Sequence, residues 1–220
     1  MVGAFVRGLR ELFGDDLVAV YRHGSEVLGG GGPLSDIDVL AVLARPMRDD
    51  EREPLVALCR TVPRLEFDVV VASSIRPWRH PAPYEFHFWA GRGDGLGPGT
   101  NADLAAVITM VLAGDQTLYG PPPTEVFDPV PRADYVAGIL RDADDTSVLM
   151  VTRVWAGVST DEVHSKLRAA EWALPRLPDE HKPVLEHAVG FYRGERDDPP
   201  EETEAYLAYV RHAIRQASKP

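Results

Sequence analysis

YRHGSEVLGGGGPLSDIDVLAVL, residues Tyr21 to Leu43, decides how this chain is read. Two apolar runs flank a glycine-rich turn. The first run ends in Gly24-Ser25, and the second opens with Asp36-Ile37-Asp38. Side chains alternate between the faces of a strand, so Asp36 and Asp38 point the same way. Two neighbouring carboxylates repel each other, and a divalent cation between them removes the repulsion. Magnesium suits them, because it takes oxygen ligands and shares its shell with substrate phosphates. Ile37, Val39, Leu40 and Val42 supply a buried strand that fixes the carboxylates. Gly24 lets the backbone turn tightly and approach a ligand closely. Ser25 adds a hydroxyl, and successive N–H groups in such a turn form an anion-binding concavity. An Asp-x-Asp pair alone is usually a solvated turn or a helix start, and Gly-Ser alone says less. The order strand, Gly-Ser, glycine-rich spacer, Asp-x-Asp, strand is far more specific.

Composition bounds the rest. The chain has 220 residues, 45% of them hydrophobic, enough for one large domain or two small ones. The formal charge is −11, from 34 acidic against 23 basic residues. That balance argues against nucleic acid as a partner and suits a cationic small substrate drawn to an acidic cleft. The single cysteine, Cys59, excludes an internal disulfide and a cysteine zinc site, and reads as a small buried apolar residue. No apolar run reaches spanning length and no signal-peptide pattern opens the chain, so a cytoplasmic protein without a membrane partner is expected.

Outward from the central stretch, Phe5, Val6, Leu9, Leu12 and Phe13 have helical spacing over 2–13, with Gly14 just past the helix end. Strands are expected at 17–21, 36–43 and 65–72, with a crossover helix over 49–60. In the third strand Glu66 and Asp68 alternate with Leu65, Phe67 and Val69, so both carboxylates share a face. A carboxylate on a central strand is costly without a partner. If this strand lies beside 36–43, Glu66 comes within reach of the same metal site; otherwise it is the wet face of an edge strand. Residues 74–100, rich in Pro, Gly and aromatics, read as a long active-site loop with one helical turn near 84–89. Trp78, Tyr84, Phe86, Phe88 and Trp89 are a satellite core or a stacking wall. His80 and His87 lack ligand spacing and read as ordinary polar residues. Asn101 caps a helix over 102–112. Gly120-Pro121-Pro122-Pro123 marks the boundary between domains 1–122 and 123–220. Beyond it five helices are expected, over 132–141, 145–158, 160–174, 179–192 and 201–217, packed as an antiparallel bundle. Arg153, alone in an apolar helix, needs an anionic partner. It and Lys166 pair with acidic residues of the bundle or meet a phosphate.

The chain as a whole is similar to the aminoglycoside (3'')(9)-adenylyltransferases. The stretches that carry the likeness are YRHGSEVLGGGGPLSDIDVLAVL, EFDVVVASSIRPWRHPAPYEF, VFDPVP, VTRVW and KLRAAEWALPRLPDEHKPVLEHAVGFYRGERDD, in that order. That family resembles the nucleotidyltransferase superfamily of the DNA polymerase β type, and the last two stretches lie outside the superfamily core. The resemblance implies an α+β fold. A polymerase β-like nucleotidyltransferase domain, a mixed sheet flanked by helices, is followed by an all-α helical bundle. It implies magnesium-dependent transfer of AMP from ATP to a hydroxyl of spectinomycin or streptomycin, with antibiotic resistance as the role. Asp36, Asp38 and Glu66 would hold magnesium, with Glu66 as the general base and Asp68 as the alternative base. Gly24, Ser25, Arg153, Lys166 and Tyr192 would bind the nucleotide. Trp89 falls near a tryptophan tied to streptomycin. The segment before Arg153 is shorter than in the family, where it carries an aspartate that grips streptomycin. Asp142, Asp144 and Asp145 are the stand-ins, so streptomycin stays open. A monomer whose partners are ATP and a cationic antibiotic is expected. The competing readings are a nucleotidyltransferase for another acceptor and a non-catalytic nucleotide-binding module.

Overall fold

Helix α1, Val2–Phe13, forms because Phe5, Val6, Leu9 and Phe13 recur on one face and are buried together. Gly14 ends it at φ 54°, a conformation that favours glycine. The computed structural model describes residues 1–33, 35–91, 95–160 and 162–218. Strand β1, Leu17–His23, runs two residues beyond the expected end, and β2, Ile37–Leu43, returns antiparallel to it. Helix α2, Asp49–Cys59, crosses over to β3, Leu65–Val71, which pairs parallel to β2. A short helix α3, Ala72–Ile75, follows.

The expected loop over 74–100 is a misreading. It contains β4, Ala82–Tyr84, β5, Phe86–Trp89, and β6, Gly99–Asn101. Strand β5 pairs antiparallel with β3, and β4 pairs with β6. The physical reason lies in the alternation of FHFW. Phe86 and Phe88 drop into the core, and the backbone satisfies the edge of β3, whose N–H and C=O groups need partners. The helical turn expected near 84–89 is therefore strand. Helix α4 spans Leu104–Gly114, two residues later than expected. The Asn101 side chain accepts a hydrogen bond from the Asp103 N–H (2.9 Å) just before it. Strand β7, Gln116–Tyr119, was not foreseen; it covers the outer edge of β1. Helix α5, Pro123–Val126, ends this half.

The result is a mixed five-stranded sheet in the order β5-β3-β2-β1-β7. Its two faces carry different cores. Val39, Ala41, Leu65, Phe67, Val69 and Phe86 pack with α1 and α2. Tyr21, Leu40, Val42 and Val70 pack with α4 and with Val126 and Phe127.

The helical half has the five expected helices, most of them starting later. They are α6, Arg132–Ile139; α7, Val148–Ser159; α8, Lys166–Ala173; α9, Lys182–Arg193; and α10, Glu204–Ala217. Ser147 and Ser165 decide two of the starts, each accepting a hydrogen bond from an N–H of the first turn. A separate core of Val151, Val154, Leu185, Tyr206 and Val210 holds this half together. Helix α6 packs on α4 of the sheet half. No helix among the described residues is long and apolar enough to cross a membrane.

Candidate active site

The second sheet face is apolar at one end and polar at the other. Tyr21, Leu40, Val42 and Val70 lie under α4, and the polar residues occupy the positions of the same parity beyond them. Strand register there aligns His23 with Asp38, Asp38 with Glu66, and Glu66 with Trp89. Neighbours in register share a face, so these four side chains form one row across four strands. Glu66 thus lies beside Asp38, on the same side of the sheet.

The two carboxylates have no hydrogen-bond or ion-pair partner among the described residues, and their electrostatics reflect that. Burial pushes the Glu66 carboxyl up to about 7, helped by the charges of Asp38 and Asp68. Burial also pushes Asp38 up to about 6, with Asp36 adding repulsion. Arg153, Lys166 and Arg22 pull Asp38 the other way, so the fields of three cations reach it. Asp36 precedes β2 and touches this pair through its field. Among the described residues, no three His, Cys, Asp or Glu side chains converge into a metal cage. Magnesium does not need one, because it commonly binds through one or two carboxylates plus substrate phosphates and water. The oxygen-only pair Asp38 and Glu66, desolvated and mutually repelling, fits such a cation.

Gly24 adopts φ 76°, and a Cβ there would collide with the Asp38 carboxylate. Only glycine lets the turn lie against that side chain. Ser25 follows in the same turn, its carbonyl accepting the Gly30 N–H (2.8 Å).

From the helical half, the Arg153 guanidinium stands 3.6 Å from Asp142. Lys166 Nζ sits over the Tyr192 ring, 5.5 Å from its centroid. The Tyr192 hydroxyl lies 2.7 Å from Ser35 Oγ, a buried hydrogen bond between the two halves. Asp142 is engaged with Arg153. The Asp145 carboxylate accepts the Ser147 N–H (2.6 Å), and Arg211 holds the carbonyls of Asp144 and Asp145. Of the aromatic group, Phe86 and Phe88 are core, and Trp78 and Tyr84 pack against the other sheet core. Trp89 alone stands in the row beside Glu66.

Three residues of this region were missed in the sequence. Ser35 was passed over as spacer, although it immediately precedes Asp36. His87 was set aside for want of ligand spacing, yet its Nδ1 lies 2.9 Å from Asp68 Oδ1. That bond raises the His87 pKa and occupies Asp68, which is 3% exposed. The alternation that puts Phe86 and Phe88 inward would have put His87 on the face of Glu66. His23 closes the row. It is 3% exposed with both ring nitrogens unpartnered among the described residues, and burial pushes it down to about 4, which favours the neutral form at neutral pH.

The chain matches known proteins over most of its length. The nucleotidyltransferase domain family matches residues 3–87, and the C-terminal domain of aminoglycoside adenylyltransferases matches residues 125–216. A spectinomycin 9-adenylyltransferase of Staphylococcus aureus is 32% identical, over 94% of this chain and 91% of its own length. An aminoglycoside (3'') (9) adenylyltransferase of Escherichia coli is 31% identical, over 90% of this chain and 88% of its own. The crystal structure of spectinomycin adenyltransferase AAD(9) from Enterococcus faecialis, with ATP and spectinomycin, superposes with a TM-score of 0.87 over 97% of this chain and 98% of that one. At 21% identity that likeness speaks to the fold. The chain is a nucleotidyltransferase and belongs to the aminoglycoside adenylyltransferase family.

Proposed function

We propose that the protein transfers AMP from ATP to a hydroxyl of spectinomycin, and that this modification confers resistance. The observation that carries the reading is the Asp38–Glu66 pair, without a partner among the described residues and pushed up by burial, with Asp38 in the fields of Arg153, Lys166 and Arg22. Such a pair is an unfinished site that a cation and a triphosphate would complete.

Asp36, Asp38 and Glu66 would hold magnesium, which would supply positive charge against the triphosphate during transfer. Glu66 is the general base. It takes the proton of the acceptor hydroxyl. Asp68 is the weaker candidate, because His87 already occupies it. Gly24 and Ser25 receive the outer phosphates in their turn. Arg153, Lys166 and Tyr192 meet the nucleotide from the helical side. Trp89 would form a wall of the acceptor pocket. The excess of acidic over basic residues, 34 against 23, would attract an ammonium-bearing acceptor. The engagement of Asp142 and Asp145 within the chain favours spectinomycin over streptomycin as the acceptor.

The reading includes a division into domains 1–122 and 123–220, a monomeric cytoplasmic enzyme, and no role for nucleic acid or membrane. Separate cores in the two halves support the division, although Val126 and Phe127, just past the boundary, pack back onto the sheet.

The test is mass spectrometry of spectinomycin and streptomycin after incubation with the protein, ATP and magnesium. A mass gain of one AMP on spectinomycin is expected, with streptomycin modified slowly or not at all. No adduct on either compound would overturn the acceptor assignment. Equal modification of both would overturn the preference.

A further inference from the structure

The four consecutive glycines between Ser25 and Asp36 do different work. Gly29 has φ 73° and open space around its Cα, so it serves the turn. Gly30 and Gly32 have ordinary φ values, and what each needs is room. A Cβ on Gly30 would stand 2.5 Å from Ser165 Cβ, and one on Gly32 would stand 2.7 Å from the Tyr192 carbonyl oxygen. Real Cβ atoms do not come that close, and both neighbours belong to the helical half. Ser165 cannot simply swing aside, because its Oγ caps α8 by accepting the Arg168 N–H (3.2 Å). The Tyr192 carbonyl is backbone in the last turn of α9. Ser35 continues the same contact. Its Oγ accepts the Gly32 N–H (2.8 Å) and pairs with the Tyr192 hydroxyl (2.7 Å).

What these residues grip is specific. Ser165 directly precedes Lys166, and Tyr192 carries the ring beneath the Lys166 ammonium. The chain then runs from Ser35 straight into Asp36 and Asp38. One short stretch thus touches the cation-bearing ends of α8 and α9 and continues into the carboxylates. The cores of the two halves are separate, so neither core by itself sets the distance from Lys166 to Asp38.

We infer that Gly30, Gly32 and Ser35 form a latch between the halves. They are positioning residues that hold Lys166 and Tyr192 at working distance from Asp38 for the nucleotide phosphates. The inference rests on the nucleotide-binding role proposed above for Lys166 and Tyr192.

The test uses the full chain, titrated with ATP in magnesium by calorimetry, with KM measured separately for ATP and acceptor. Gly30→Ala and Gly32→Ala should each weaken ATP binding by roughly tenfold or more, since a displacement near one ångström is costly at a reacting centre. The acceptor KM should move by less than about threefold, because Trp89, the wall proposed for the acceptor, stands on the sheet half. Adding Ser165→Gly to Gly30→Ala removes the colliding atoms, and glycine is tolerated at a helix cap, so ATP affinity should return. Ser35→Ala removes a hydroxyl without adding bulk and should act in the same direction, which keeps the test alive if Gly30→Ala does not fold. Variants that melt normally and bind ATP like the parent would overturn the latch, as would a loss that Ser165→Gly does not restore. A parent chain that binds no ATP would instead overturn the nucleotide reading, and the latch with it.

Discussion

Two carboxylate systems in the sheet half, one buried and one half-buried, are pushed in opposite directions. Glu51, 3% exposed, lies between Arg45 (2.6 Å) and Arg48 (2.6 Å), and its other oxygen accepts the Arg48 N–H that opens α2. Its pKa is lowered, first by the Arg45 hydrogen bond. Asp38 and Glu66 are neighbours in register instead, with no hydrogen bond among the described residues, and desolvation raises both. One system is complete within the chain and serves the fold. The other costs the fold free energy, and in the function proposed above a cation would complete it. Both are acids withdrawn from water, so desolvation alone does not separate them; the presence or absence of a partner does.

The largest expected effect comes from removing the unmet charge. Glu66→Gln should lower the rate of AMP transfer by about a thousandfold, the range typical of losing a general base. The variant should still melt cooperatively. Turnover within tenfold of the parent would move the base to another residue.

The same pair sets a dependence of stability on pH. A carboxyl whose folded pKa is raised favours the fold fully while it is protonated, below its unfolded value. That contribution is lost as pH climbs toward the folded value. For Glu66 the window runs from 4.5 to about 7. Without nucleotide or magnesium, Glu66→Gln should therefore be more stable than the parent at pH 8, by on the order of 3 kcal/mol, and nearly equal at pH 4. Denaturant melts at both pH values check it. A variant less stable at pH 8 would end the contrast with Glu51.

Glu51 works the other way. Its lowered pKa contributes stability above the unfolded value of 4.5, lost as pH falls below it. Glu51→Ala should cost about 2–3 kcal/mol at pH 7, because two guanidinium groups lose their buried partner and α2 loses its box. The rate of transfer should be unchanged once the protein is folded. A smaller effect still is expected on the same strand as Glu66. Asp68→Asn keeps an oxygen for His87 and should hold transfer within about tenfold of the parent. A loss as deep as that of Glu66→Gln would make Asp68 the base.

Much of this was legible in the chain. The pattern of apolar residues in α1 and β1 to β3, the crossover over 49–60 and the parity of Asp38, Glu66 and Asp68 follow from periods of 3.6 and 2. Strand β5 was hidden. Pro and Gly around FHFW signalled loop, and only the bare edge of β3 makes that stretch a strand. Strand β7 was hidden for the same reason, since four residues beside β1 carry too short a pattern to read.

The sequence by itself determined that Asp38 and Glu66 lie on strands of matching alternation and that a Gly-Ser turn precedes them, because residue type and alternation are local properties. It could not say that His87 would bond Asp68, or that Ser35 would bond Tyr192 across 157 positions. It could not separate Glu51 from Glu66 either, since what distinguishes them is which side chains the fold brings near. Strand register and the docking of the helical half decided those questions, and such contacts arise between segments whose individual patterns carry no trace of each other.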